Sequence, residues 1–146
     1  MLPPDLTPGP ALDARVGQAM GVEPEGWRLR HSETVSHRYS SRLGVERLLA
    51  DIRTRNPAYS DACSIVPVYP TYSAPTGGAW EACAEWMEAQ GYEVCLYRRK
   101  VHGPNWWCEL TRDGNAEPVL ETEGATLALA VCAAVLVVSG RGEICE

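Results

Sequence analysis

Cysteine and histidine are the side chains here best suited to nucleophilic or metal chemistry, and their spacing gives them little to do together. The cysteines stand at 63, 83, 95, 108, 132 and 145, and the histidines at 31, 37 and 102. There is no CxxC pair, and no cysteine lies at zinc-ligand spacing from a histidine. Cys83 and Cys132 fall in helical apolar patterns, and Cys95 and Cys108 in strand patterns. Reduced, buried thiols acting as small hydrophobes fit that placement. Cys63 and Cys145 fall in loop or tail and read as free thiols. Pairing His102 with Cys95 or Cys108 as base and nucleophile has no support in spacing. Glu81, Glu85 and Glu88 recur on one helical face, as a solvated stripe does, rather than as a catalytic pair. No catalytic set, metal site or cofactor is therefore expected.

Two segments have the chemistry to hold a ligand. The first is Tyr72, Ser73, Thr76, Gly77, Gly78 and Trp80, read as the opening of a helix over 74–90. Ser73 is placed to cap it, and Pro75 is tolerated in a first turn. Gly77 and Gly78 would leave backbone N–H groups uncovered at the positive end of the helix dipole, where a phosphate or carboxylate could approach. The plainer alternative is that the glycines let another segment pack there. This is not a Walker loop, because the lysine and its spacing are missing. The second segment is a sheet face bearing Tyr97 and Trp107, with Arg98, Arg99, Lys100 and His102 at one end of a hairpin. Aromatics beside arginine can stack a base and hold a phosphate. A face of this kind is more commonly covered by neighbouring helices.

The charge is unevenly distributed. Seven arginines between Arg28 and Arg55 stand against Glu33, Glu46 and Asp51, which gives +4, while the rest of the chain carries −10 and the total is −6. A basic segment in an acidic body can dock on that body or recruit an anionic ligand, and the net field repels extended polyanions.

The elements that must position these residues can be read from periodicity. The 146 residues, 45% apolar and 22% charged, suit one globular domain. Residues 1–10 hold four prolines and read as a flexible leader. A short helix spans 11–20, with Pro10 before it and Gly21 at its C′ position. Residues 22–41 show no period beyond a strand near 27–30. Val45, Leu48, Leu49 and Ile52 define a helix near 43–55, stopped by Asn56-Pro57. Prolines at 67, 70 and 75 allow at most an edge strand or an extended connector over 65–75. Strands follow over 92–100 and 105–112, with Asp113-Gly114-Asn115 as a hairpin turn. A third, weaker strand runs to Thr122, and Pro118 marks it as an edge. Gly124 or Thr122 opens a helix over 125–138 that is apolar on every side and must be covered by its own chain or by a second subunit. Homo-oligomerisation through that helix is expected.

The predicted fold is α+β: a three-layer α/β/α sandwich with an antiparallel sheet of three or four strands and a helix-strand-strand-strand-helix C-terminal half. The domain is expected to span 11–140, with 28–55 as an arginine-rich insertion. No segment resembles a signal peptide, and the longest apolar run is short of the roughly 18 residues a bilayer requires, so a cytoplasmic protein without membrane contact is expected. The same element order occurs in double-stranded RNA-binding domains. Those need a basic start to the last helix, whereas Glu121-Thr122-Glu123-Gly124 stands here.

Short motifs occur in a telling order: Leu12 to Val16, Met20-Gly21, Tyr72-Ser73, Trp80-Glu81, Gly91-Tyr92, Trp107 to Leu110, and the helix over 125–134. In that order and spacing the chain resembles the small phage proteins of the phage ABA sandwich domain family. The resemblance covers about residues 11–21 and 69–137 and leaves the arginine-rich middle unmatched. It implies a viral or prophage origin and a layered α/β/α fold, and it brings no activity. Family members usually read Tyr-Ser-Thr-Asp-Ile-Ala-Ala-Ala-Trp where this chain has Ala74-Pro75-Thr76-Gly77-Gly78-Ala79 before Trp80. Two alanines replaced by glycines in a helix would each cost about 1 kcal/mol of propensity.

The expected function is that of a non-enzymatic phage or prophage accessory protein acting by binding. Counter-defence by sequestering an anionic small molecule, such as a nucleotide signal, is the leading version. One alternative is an acidic module that inhibits a host protein. Another is a small hydrolase or transferase, which would require a deep pocket with a titratable pair.

Overall fold

A computed structural model describes residues 6–98, 103–112 and 117–144. Along the chain run α1 (Pro10–Ala19), β1 (Gly26–His31), β2 (Thr34–Val35), α2 (Arg42–Arg55), α3 (Pro57–Asp61), β3 (Cys63–Val68), α4 (Glu81–Ala89), β4 (Tyr92–Arg98), β5 (Trp106–Arg112), β6 (Leu120–Gly124) and α5 (Leu127–Ile144). The fold is α+β, with two antiparallel three-stranded sheets ordered β2-β1-β3 and β4-β5-β6. Two compact units result. A discontinuous unit comprises Met1–Val22 and Pro70–Glu146, and an inserted unit comprises Glu23–Tyr69. The insertion is thus wider than the arginine-rich stretch of 28–55. No helix among the described residues is long and apolar enough to cross a membrane.

The discontinuous unit is built around α5. Thr126 accepts a hydrogen bond from the Leu129 amide at 3.2 Å, so Thr126 opens the helix rather than Gly124 or Thr122. Thr122 instead faces α5 from β6 and donates to the Ala130 carbonyl at 2.7 Å. Gly124 ends β6 where a Cβ would lie 2.6 Å from the Ala130 amide nitrogen and 2.8 Å from Leu129 Cβ. Strand and helix backbones touch there, and only glycine permits it. Residues 128–135 are all buried, none more than 6% exposed. The elements packed on α5 are β5, β6, α1 and α4, so the cover demanded by its apolar surface comes from the same chain.

Register sorts the side chains of the β4-β5-β6 sheet. Val94 pairs with Leu110, and Leu96 pairs with Cys108, which pairs with Thr122. Cys108, Leu110 and Thr122 are buried beneath the helices. On α4, Cys83 and Met87 are fully buried, and Glu81, Glu85 and Glu88 are exposed. α1 starts at Pro10 and ends on Gly21 at φ 74, with the Val22 amide closing on the Gly17 carbonyl at 2.9 Å.

In the inserted unit β1 is central, paired with β3 from Gly26↔Val68 to His31↔Cys63 and with β2 at Arg30↔Val35. The strand expected near 27–30 is β1, and the irregular reading of the rest of 22–41 is corrected by β2, the edge of a sheet in which β1 pairs with β3 more than thirty residues away. Its alternation of Trp27, Leu29 and His31 with Arg28 and Arg30 puts charge on one face, which masks it as a core strand. β3 is an edge strand carrying Pro67. Ser41 caps α2 by accepting from the Gly44 amide at 3.3 Å, and Asn56 ends α2 while capping α3 through the Tyr59 amide at 3.2 Å. Val45 is fully buried, and Leu48 and Ile52 face Leu29.

Gly124→Ala would force a Cβ into helix backbone. It is expected to cost about 1–3 kcal/mol, read as a lower urea midpoint at unchanged slope. An unchanged midpoint would show that α5 and β6 are farther apart than described.

Candidate functional site

Of the segment holding Tyr72, Ser73, Thr76, Gly77, Gly78 and Trp80, the first two residues are structural. Tyr72 is 2% exposed and Ser73 fully buried. The Ser73 hydroxyl donates to Asp13 Oδ1 at 2.7 Å, and the Ser73 amide donates to the same oxygen at 2.8 Å. The Gly9 amide in turn donates to Ser73 Oγ at 2.9 Å. The carboxylate seat at Ser73 is therefore filled by Asp13 of the same chain, a residue the sequence reading did not single out. The expected helix over 74–90 is also corrected. α4 begins only at Glu81, with Trp80 as N-cap and no side-chain cap bond. Gly77 and Gly78 have φ 96 and 72, so they serve a left-handed turn and do not thin a helix start. Thr76 and Gly77 are exposed on that turn.

Two residues of the second predicted site come together in the structure. Tyr97 and Trp107 are direct cross-strand partners, and Trp107 pairs onward with Glu123. The next row is Cys95, Glu109 and Glu121, followed by Glu93 opposite Thr111. This is the sheet face turned away from α4 and α5, so it does not merge with the Tyr72–Trp80 segment. Tyr97 donates to Glu109 Oε2 at 3.0 Å, Asn105 Nδ2 donates to Glu123 Oε2 at 3.2 Å, and Thr111 donates to Glu93 at 3.4 Å. Four carboxylates thus share the face with the aromatic pair, and none of its described positions in β4, β5 or β6 carries a lysine or arginine.

The base-and-phosphate reading of this face needs correction at Arg98. That residue alternates to the opposite side, with its guanidinium 5.7 Å from the Trp106 ring centre. Arg112 likewise stands over Tyr92 at 4.6 Å and donates to its hydroxyl at 2.9 Å. Arg99, Lys100 and His102 lie outside the described residues. The surrounding charge agrees with the face: the discontinuous unit holds 13 acidic and 6 basic residues, a net of −7. Strand parity applied to Glu121 and Glu123 would have revealed the cluster, but the weak third strand gave no register.

The inserted unit holds a cleft of about 160 Å³ between its sheet and α2–α3. His31 and Cys63, opposite one another in the β1–β3 ladder, both line it. The His31 ring stacks flat on Tyr59 at 3.8 Å, and the Cys63 thiol points its proton at the Tyr59 carbonyl, 3.4 Å away. Among the described residues thiol and imidazole share no hydrogen bond, so the pair lacks the geometry of an activated nucleophile. No group of three His, Cys, Asp or Glu side chains among the described residues could hold a metal ion.

Two of the buried thiols, Cys108 and Cys132, are held protonated. Burial pushes Cys108 up from 9.0 to about 12, against the lowering effect of a hydrogen bond with Thr122. Cys132 is pushed up by its hydrogen bond with Cys83 and by burial. For Cys108 the raised folded value sets the sign: its contribution to stability is intact below pH 9 and lost as pH rises from 9 towards about 12. Urea midpoints should fall over that range, less steeply in Cys108→Ala. Iodoacetamide at pH 8 should modify Cys63 and Cys95 in the native protein and spare Cys83, Cys108 and Cys132 until it unfolds. Equal labelling of all five by mass spectrometry would contradict this burial.

Asp13 is the other point of test. Asp13→Ala leaves the Ser73 amide and hydroxyl without their acceptor and is expected to cost about 2–3 kcal/mol, measured by urea denaturation. A loss below 0.5 kcal/mol, on the order of an ordinary surface substitution, would mean that the Asp13–Ser73 bonds do not form.

No protein-family model, no curated protein and no solved structure matches the chain.

Proposed function

We propose that this protein acts by binding and not by catalysis, and that the outer face of the β4-β5-β6 sheet engages a basic segment of a partner protein. The observation that supports the reading is the set Glu93, Glu109, Glu121 and Glu123 around the Tyr97–Trp107 pair. Carboxylates give a cationic partner its charge match and steer its approach. Tyr97 and Trp107 add aromatic surface among the carboxylates, which supplements the charge match with apolar contact. A phosphate-bearing ligand is disfavoured on the same face, because four carboxylates would have to be brought against it.

Together with the phage-protein resemblance, this becomes a viral accessory protein that works inside the host cell by occupying a basic surface of a host factor. Sequestration of an anionic small molecule at 72–80 has less support, since Asp13 already occupies Ser73.

The reading is tested with a labelled arginine- and lysine-rich peptide of a dozen residues, titrated at low and at physiological salt. Binding should weaken as salt rises. Glu121→Lys with Glu123→Lys should weaken it at least about tenfold, since like charges then face the partner. Glu85→Lys with Glu88→Lys on α4 should leave it within about twofold, as expected of rim charges remote from the face. No peptide binding, or equal loss from both pairs, would overturn the assignment.

A further inference from the structure

The inserted unit presents a second charged face, of opposite sign. Gly26, Arg28 and Arg30 alternate with Trp27, Leu29 and His31 along β1, and Leu29 lines the cleft beneath α2. The arginines therefore point from the side of the sheet that α2 does not cover. A third arginine joins them. Tyr39 bridges Trp27 through a pair of 2.8 Å backbone hydrogen bonds, which turns its neighbour Arg38 to the Gly26 side. There Arg38 Cγ and Cδ run 2.6 and 2.7 Å from where a Cβ on residue 26 would stand. Glycine at 26 is what lets that stem lie across β1.

These guanidiniums have little to satisfy them. Arg28 Nε is buried and has no hydrogen-bond partner among the described residues. Arg30 Nε donates to the Ser32 carbonyl at 2.9 Å, and no carboxylate among the described residues pairs with it. Arg38 reaches Glu25 only at 4.0 Å, with both side chains about half exposed, a pairing of small worth. Opposite them in the ladder stand Val68, Val66 and Ser64, which bring no carboxylate. A dry, unused donor on a planar guanidinium is what an oxyanion satisfies best, through two parallel hydrogen bonds.

We propose that this arginine face binds a small phosphate-bearing ligand, with Arg28 as the two-pronged donor and Arg30 and Arg38 neutralising its charge. The ligand is small because the chain carries −6 overall, a field that repels a long polyanion. The site is independent of the acidic sheet face, and either can fail without the other.

Pyrophosphate is the probe. Titrated into the full chain and followed by calorimetry and by the arginine Nε–H resonances, it should saturate and shift Arg28 Nε–H most. Arg28→Lys keeps the charge and loses the fork, so affinity should fall about tenfold. Arg30→Gln, at an exposed position, should weaken binding about threefold or more as one charge is removed, and it provides the test if Arg28→Lys does not fold. Arg15→Gln on α1 should leave binding unchanged. Absence of saturable binding, wild-type affinity in both the Arg28→Lys and Arg30→Gln variants, or tighter binding of a short DNA duplex than of pyrophosphate would each overturn the proposal.

Discussion

Water has to be kept from every side of α5, because residues 128–135 offer it no polar side chain. A sheet covers one side of a helix and a single neighbouring helix covers another, so at least three elements must converge. In this chain they are the β5–β6 pair, α4 and α1. The last of these comes from the opposite end of the sequence. The requirement explains why the beginning and end of the chain form one unit while Glu23–Tyr69 forms its own. It also explains the bonds that Asp13 makes to Ser73, which hold the N-terminal helix to the chain where it re-enters the unit.

The alternation rule of β-strands does further work by sorting charge. In β4 to β6 it sends Cys108, Leu110 and Thr122 to the helices and Glu93, Glu109, Glu121 and Glu123 to the open face. In β1 it sends leucine and tryptophan towards α2 and arginine to the other side. Each sheet is thus chemically two-sided, and the open faces carry opposite sign. An acidic chain overall can in this way display a basic surface, which net charge alone would not suggest.

How much could be read from sequence follows the range of the interactions involved. β4 and β5 were legible because alternation is a local signal, and α2 was legible from Val45, Leu48, Leu49 and Ile52, while the expected turn at Asp113-Gly114-Asn115 lies outside the described residues. β1 was missed as a sheet centre because its partner β3 lies beyond two helices and its arginines disguise the pattern. The start of α4 was misplaced for another reason. Propensity reads Gly77 and Gly78 as weak helix, whereas their backbone angles show a turn that only glycine makes without strain. The acidic face was half visible, since Trp107 and Glu109 share a parity, but Glu121 and Glu123 join it only once β6 has a register. Asp13 could not be singled out at all. A short acidic residue in an amphipathic helix gives no sign that its partner is a serine sixty positions away.

The packing of α1 on α5 has a consequence for synthesis. α1 ends at Ala19 and α5 begins at Leu127, so more than a hundred residues separate the two. At about 5–20 residues per second, α1 would leave the ribosome roughly 5–20 s before the first turn of its partner is made. Throughout that interval Leu12 and Val16, later sealed at 4% and 0% exposure, have no α5 to lie against. Glu23–Tyr69, whose pairings are all internal, is complete long before then. Until α5 emerges, the nascent chain therefore carries a first helix that Asp13 can tie to Ser73 but whose apolar face lacks the cover of α5.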